Sequence, residues 1–212
     1  MLGPKPLVVW SLEAARNVPE ICDILVSTDD PTIAAVCKEA GALVPWLRPA
    51  ELATDTAGSV GVALHALDWY EATNGVVDGL LLLQPTSPFR TAETVRKGIA
   101  LFEGNGQVPV VGVSAAAAHP MWTFRLESGY LTPFIPGSGL ETRSQDLPAA
   151  YAVNGSFYLL SPKTLRENKS FFGPQISALI VDSDIEALDI DTALDWVIAE
   201  AIIQRGLSST GN

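Results

Sequence analysis

The chain has 212 residues, of which 48% are hydrophobic and 17% charged, and its formal net charge is -11. This length suits one domain of ordinary core size with at most a small appended arm. The negative charge argues against a nucleic-acid partner, because phosphate contacts need a clustered lysine and arginine surface. No apolar run approaches the roughly 20 residues of a membrane span, and no signal-peptide pattern is present, so we expect a cytoplasmic protein.

The chain alternates segments of helical periodicity with short apolar runs typical of strands. Strands that alternate with helices of about ten to fifteen residues predict a mostly parallel sheet with crossover helices on both faces. We therefore expect an α/β, Rossmann-like fold that forms a single domain over residues 1–212. In chain order, the predicted helices cover residues 7–15, 31–41, 59–75, 93–104 and 191–206, and the predicted strands cover 21–28, 42–47, 80–83, 108–114 and 152–160.

The segment from 119 to 148 interrupts this alternation with prolines, glycines and spaced aromatic residues. Trp122, Phe124, Tyr130 and Phe134 supply too much apolar area to remain solvated in a disordered chain. We interpret the segment as an arm or hairpin that packs on another surface, such as a second subunit.

The stretch GLLLLQPTSPFR at 79–90 joins an apolar run to a polar loop. Its four leucines predict a strand buried on both faces, and Gln84 follows at the carboxyl end, where ligands bind in open α/β sheets. The two prolines restrict the backbone around Gln84. Thr86 and Ser87 are predicted to cap the helix that begins near Thr91.

Two carboxylates lie close together in the stretch ALDIDTALDW at 187–196. In an extended chain, Asp189 and Asp191 point to one side while Ile190 points into the core. Two carboxylates on one face repel each other unless a cation lies between them, and magnesium is the usual cation in nucleotide enzymes. The alternative is that Asp191 only caps the last helix, with Thr192 and Asp195 in its first turn.

The remaining polar motifs favour structural roles. Cys22 and Cys37 belong to no CxxC motif, so we expect two reduced and mostly buried thiols. His65 lies on a predicted helix and His119 precedes a proline in a loop, and two histidines so placed form no metal site. The stretch GNGQ at 104–107 is typical of a helix end, since neither GxxxxGK[ST] nor GxGxxG occurs in the chain.

Six motifs occur together along the chain, and two of them, LLQPTSP and RPAELATD, are highly specific as a pair. The motifs are STDD at 27–30, RPAELATD at 48–55, LLQPTSPFR at 82–90, SQDLP at 144–148, NGSFY at 154–158 and DIDTALD at 189–195. In their order and spacing the chain resembles, over essentially its whole length, the acylneuraminate cytidylyltransferases. These enzymes are the CMP-sialic acid synthetases and their nonulosonate relatives.

The resemblance implies transfer of a cytidylyl group from CTP to the anomeric hydroxyl of a nine-carbon 2-keto acid sugar, with release of pyrophosphate. Asp189 and Asp191 match the family's metal-binding pair, so Mg²⁺ is the implied cofactor. Together with Gln84, which matches a substrate-contacting glutamine, they form the implied catalytic set. Such a reaction needs positioning and charge neutralisation more than a covalent nucleophile. The implied product serves cell-surface polysaccharide biosynthesis.

The resemblance also implies a set of substrate-binding residues and a shared active site. An aromatic pair of the family meets the sugar from the neighbouring subunit, which would make 119–148 the dimerisation arm of a homodimer. Ser59 is implied to lie near the nucleotide, and Asn154 and Tyr158 near the sugar. The other implied substrate-binding residues are Gln84, Arg143, Gln145 and the pair Phe171 and Phe172.

The chain departs from the family pattern in two places. Relatives usually read Arg-Arg-Gln-x-Leu-Pro where this chain has Ser144 between Arg143 and Gln145, so anion binding would rest on Arg143 alone. Relatives also begin with a strand and a phosphate-cradling loop of the type Ala-Arg-x-Gly-Ser-Lys before the segment that matches GPKPLVVWS. Without that strand, ILVST and LLLLQ would face a slot whose unpaired backbone groups each cost about 1 to 3 kcal/mol.

We therefore hypothesise that Met1 is an internal methionine of a longer protein or that the gene is a fragment, and an in-frame stop codon directly upstream would contradict the first version. Two alternatives for function stay open. One is a Kdo cytidylyltransferase, whose relatives carry a Gln-Gly-Asp-Glu-Pro type motif in place of LQPTSP. The other is a non-catalytic remnant of the same fold. The sequence also leaves open which nonulosonic acid is the acceptor and whether the protein is a dimer or a tetramer.

Overall fold

The computed structural model describes residues 1–54, 57–137 and 139–206, so Asp55 of the RPAELATD motif lies outside the described residues. None of the helices in these ranges is long and apolar enough to cross a membrane. The helices are α1 (Leu7–Arg16), α2 (Pro31–Glu39), α3 (Ser59–Asn74), α4 (Ala92–Gly104), α5 (Pro162–Asn168) and α6 (Ala193–Gln204), and the strands are β1 (Leu80–Leu82), β2 (Val110–Ala115), β3 (Phe124–Glu127), β4 (Tyr130–Pro133), β5 (Tyr151–Leu160) and β6 (Ser177–Ile180).

A four-stranded sheet in the order β1-β5-β2-β6 forms the centre of the fold. Strands β2 and β6 are parallel, and β5 runs antiparallel to both β1 and β2. Strands β1, β2 and β6 therefore share one direction, and the predicted α/β sheet is confirmed with β5 as its exception. Because Leu82 pairs with Tyr158, the residues just before Tyr158 on β5 lie beside the polar loop that follows β1.

The main core lies between the sheet and α4. Its buried cluster includes Val95 and Phe102 from α4 and Val110, Phe157 and Leu159 from the sheet. A side chain at the α4 residue Gly98 would overlap the ring of Phe157, so the helix and the sheet pack in direct contact there. This packing fixes β5, and with it the residues that β5 brings to the loop after β1.

Two helix N-termini differ from the sequence-based expectations. Thr91 caps α4 by accepting a hydrogen bond from the backbone N–H of Thr94, so the prediction that Thr86 and Ser87 provide this cap is wrong. At α6, Thr192 and Asp195 form a reciprocal capping box. The alternative in which Asp191 is the cap of the last helix is therefore also wrong.

The predicted strands at 21–28 and 42–47 do not join the four-stranded sheet. They meet in a short parallel bridge, in which the Val26 N–H donates to the Leu43 carbonyl at 2.9 Å and the Leu43 N–H donates to Ile24 at 2.8 Å. A cleft of about 870 Å³ lies between the segment 21–27 and the segment 80–85. The cleft lies where a slot between the two segments was expected. The prediction that β1 is buried on both faces is wrong, because all three of its residues are half-buried.

The expected hairpin within 119–148 is present. Strands β3 and β4 form a separate antiparallel pair joined by a turn at Ser128 and Gly129, both of which have positive φ. Several of its apolar side chains are open to solvent: Leu126 is 71% exposed, Tyr130 78% and Leu131 65%. The hairpin thus presents an apolar surface that the described part of its own chain leaves uncovered.

Candidate active site

The loop after β1 and the segment before α6 bring two predicted site residues together over Gly155. This glycine has φ +73°, and a Cβ added to it would lie 2.8 Å from both the Oε1 atom of Gln84 and the Oδ2 atom of Asp189. The two side chains therefore converge on a position where only a glycine leaves room. The NG pair was recognised in the sequence, but the role of its glycine was not.

Contacts with the loop after β1 hold Asp189 in place. The N–H of Ile190 donates to the Thr86 carbonyl at 2.8 Å, and the Ser87 hydroxyl donates to Asp189 Oδ1 at 3.3 Å. Ile190 packs into an apolar cluster, as its place between two outward-facing aspartates predicted. Asp191 is exposed, and its carboxylate accepts no hydrogen bond from the described residues, so both of its oxygens remain open to a ligand.

A buried arginine lies beneath this site. Arg90 is 4% exposed and donates from Nε to the Ser156 carbonyl at 2.8 Å, from Nη1 to the Ser11 hydroxyl at 2.7 Å and from Nη2 to the Gln84 carbonyl at 2.6 Å. Burial lowers the pKa of Arg90 to about 10, although the negative charge of Asp189 acts in the opposite direction. The guanidinium therefore stays protonated at neutral pH.

Two residues of the NGSFY motif add hydrogen-bonding groups beside Asp189. Asn154 is 7% exposed, and its Oδ1 accepts from the N–H and the hydroxyl of Ser156. The Nδ2 of Asn154 is buried without a hydrogen-bond partner among the described residues, so it is an unsatisfied donor beside the site. Burial, and secondly the charge of Asp189, raise the pKa of Tyr158, whose phenol therefore stays protonated at neutral pH.

The aromatic pair after α5 packs on Tyr158 of its own chain. The ring of Phe171 lies 5.6 Å from that of Tyr158 between centroids, and the ring of Phe172 lies 6.2 Å from it. Phe171 is 7% exposed and belongs to the core, whereas Phe172 is 45% exposed. Only Phe172 is therefore accessible to a neighbouring subunit.

Polar residues close one end of the cleft described above. Ser59, the first residue of α3, lines it together with Ser27, Arg48 and Gln84. Arg48 donates from Nε to the Ser27 hydroxyl at 3.2 Å and from Nη2 to the Ser27 carbonyl. Gln84 thus lies at the polar end of the cleft, and Arg48, the first residue of the RPAELATD motif, is a cation there.

Other predicted residues lie outside this group. Arg143 is exposed and donates to the carboxylate of Asp146 at 2.8 Å, and Gln145 is exposed. Within the described residues, neither contacts Gln84 or Asp189. Cys37 is buried as expected, but Cys22 is exposed, so the expectation of two mostly buried thiols is wrong for one of them.

Known proteins resemble this chain in sequence and in fold. A family model described as Cytidylyltransferase matches residues 1–106. The CMP-N,N'-diacetyllegionaminic acid synthase of Legionella pneumophila subsp. pneumophila is 37% identical over 205 residues, which cover 96% of this chain and 88% of that protein. The N-acylneuraminate cytidylyltransferase of Escherichia coli O18:K1:H7 is 30% identical over 205 residues, covering 97% of this chain and 48% of that protein.

A solved structure shares the fold. The CMP:2-keto-3-deoxy-manno-octonic acid synthetase complexed with CTP aligns with a TM-score of 0.70 over 98% of this chain and 91% of that one, at 14% sequence identity. The family model covers half of the 212 residues. Together with the 37% identity to a relative that aligns along nearly the whole chain, this match establishes that the chain belongs to the cytidylyltransferase family.

Proposed function

We propose that this protein transfers CMP from CTP to the anomeric hydroxyl of a nonulosonic acid. The observation that carries the proposal is the convergence of Gln84 and Asp189 over Gly155, at the polar end of the large cleft. The relatives named above act on legionaminic and sialic acids, and the higher identity to the legionaminic acid synthase favours a legionaminic-type acceptor. Because the reaction consumes a nucleoside triphosphate, we place it in the cytoplasm.

In the proposed reaction the sugar oxygen bonds to the α-phosphorus of CTP, and the bond from that phosphorus to the pyrophosphate oxygen breaks. The products are the CMP-sugar, pyrophosphate and the proton of the hydroxyl. Asp189 and Asp191 would hold Mg²⁺, and these residues fit the ion because magnesium prefers one or two carboxylates plus substrate phosphates. When bound, the ion would neutralise charge on the phosphates.

The residues around Asp189 supply groups that orient the acceptor. The side-chain amide of Gln84, the unpartnered Nδ2 of Asn154 and the protonated phenol of Tyr158 offer hydrogen bonds to sugar oxygens. Arg48 and Ser59 lie at the polar end of the cleft, where they would contact the nucleotide. Orientation of two bound reactants in this way accounts for much of the rate that such enzymes achieve.

The first test is magnesium-dependent release of pyrophosphate, measured with CTP and a panel of acceptors. We expect release with N,N'-diacetyllegionaminic acid or N-acetylneuraminic acid, none with ATP in place of CTP, and none when EDTA removes magnesium. Release with Kdo alone would instead support the eight-carbon alternative. A non-catalytic remnant would give no release and, in calorimetry, no saturable heat with CTP and magnesium.

We further propose that the protein is a homodimer joined through the β3–β4 hairpin. A surface with exposed Leu126, Tyr130 and Leu131 is costly to leave in water, and a second copy of the chain would cover it.

A charged substitution in the hairpin should yield particles with the mass of one chain. We expect this for Leu131→Glu in light scattering, whereas Val76→Glu, at a still more exposed position outside the hairpin, should leave the mass unchanged. Equal masses for both variants would contradict the proposed interface.

A further inference from the structure

Arg90 is a buried cation that forms no ion pair with a carboxylate in the described part of the chain. Its three hydrogen bonds go to two backbone carbonyls and one hydroxyl, all of them neutral. Removing a charge from water costs free energy that neutral acceptors return only in part. An arginine at this place is therefore difficult to explain by stability alone.

The contacts of Arg90 join the loop that carries Gln84 to the strand that carries Gly155. The carbonyl of Gln84 accepts from Arg90 Nη2 at 2.6 Å, from the Ser11 hydroxyl at 3.4 Å and from the Ser87 N–H at 3.3 Å. Arg90 Nε donates to the carbonyl of Ser156, the residue directly after Gly155. One guanidinium thus ties the loop after β1 to β5 on both sides of the site.

We propose that Arg90 is a positioning residue, which clamps the backbone at Gln84 and Ser156 and thereby holds the Gln84 side chain over Gly155, where Asp189 also lies. The inference rests on the proposed function of this site. Arginine suits the task because its planar fork presents donors from three nitrogens in fixed directions, whereas the donors of a lysine all radiate from one nitrogen. Ser11 completes the clamp by accepting from Arg90.

A double-mutant cycle distinguishes positioning from general stabilisation. If Arg90 acts through Gln84, Arg90→Lys should lower kcat/KM about 100-fold in the parent chain, because a small misplacement of a reacting group has effects of this size. In a Gln84→Ala background the same change should have an effect of no more than about threefold. The control is Arg96→Lys, at an exposed arginine on α4. It should change kcat/KM by no more than about threefold in either background. An equal loss in both backgrounds would overturn the proposal.

A second measurement does not depend on activity. Amide hydrogen exchange should accelerate in Arg90→Lys within peptides covering 84–90 and 154–158, and stay unchanged at 31–39 in α2. Unchanged exchange at 84–90 would also overturn the clamp. If the parent chain transfers no CMP, the proposed function fails and the exchange data alone decide whether the clamp exists. If Arg90→Lys does not fold, Ser11→Ala, which removes one acceptor of the guanidinium, replaces it in both experiments.

Discussion

Replacing Asp189 with asparagine should reduce CMP transfer by about a thousandfold or more and leave the fold intact. The substitution conserves shape and an oxygen that can accept from the Ser87 hydroxyl, so the contact with the loop after β1 survives. It removes the negative charge, and binding of a divalent ion supplies several kcal/mol of charge stabilisation in reactions of this type. It also removes the charge that favours the protonated form of the buried Arg90.

The matched control is Asp184→Asn, because Asp184 is an exposed acid a few residues earlier that contacts none of the site residues described above. Both variants should have the melting temperature of the parent within a few degrees. The rate of pyrophosphate release should rise with magnesium concentration and saturate as in the parent for the control. For Asp189→Asn it should not saturate. A loss below tenfold for Asp189→Asn would mean that this carboxylate does not hold the metal.

Local signals in the sequence were sufficient for the longer helices. The helix predicted over 59–75 is present as α3, and it ends at Asn74 because the next residue, Gly75, has a φ of +96°. Elements shorter than two helical turns carry too little periodicity to be found in this way. The seven residues of α5 and the four of β6 were missed for this reason.

Which strands pair with each other depends on tertiary neighbours that cannot be identified from the local sequence. The segment 21–28 has a strand-like composition, yet within the part of the chain that the structure describes its one β-bridge is to Leu43, and the cleft separates it from β1. The antiparallel direction of β5 was equally hidden, since its apolar run fits a strand of either direction. Both features are decided by the tertiary arrangement, to which strand propensity is subordinate.

The candidate site was predictable where a residue lies at the end of an element. Gln84 follows a strand directly, and Asp189 alternates with an inward-facing isoleucine, so both stand out in the sequence. Ser87 and Arg90 act through partners far away in the chain, 102 residues for the contact of Ser87 with Asp189 and 66 for that of Arg90 with Ser156. No spacing rule along one sequence connects such partners.

Gly155→Ala should abolish most activity, although it adds a single methyl group. The residue has φ +73°, and the new Cβ would approach Gln84 Oε1 and Asp189 Oδ2 to 2.8 Å, closer than real Cβ atoms come. At least one of the two side chains must move away from the convergence point. Displacement of a reacting group by about 1 Å can cost about 100-fold in rate, so we expect a loss of kcat/KM of at least this size.

Gly129→Ala separates this displacement from backbone strain. Gly129 has φ +86° in the hairpin turn, and a Cβ there would meet no atom within 4 Å. Both substitutions place an alanine in the left-handed region, which costs about 1–2 kcal/mol of the free energy of unfolding. Pyrophosphate release and urea unfolding should therefore show a loss of stability in both variants but a loss of activity in Gly155→Ala alone. Since the variants share the strain, near-parental activity in Gly155→Ala would mean that the reacting groups are not those gathered over Gly155.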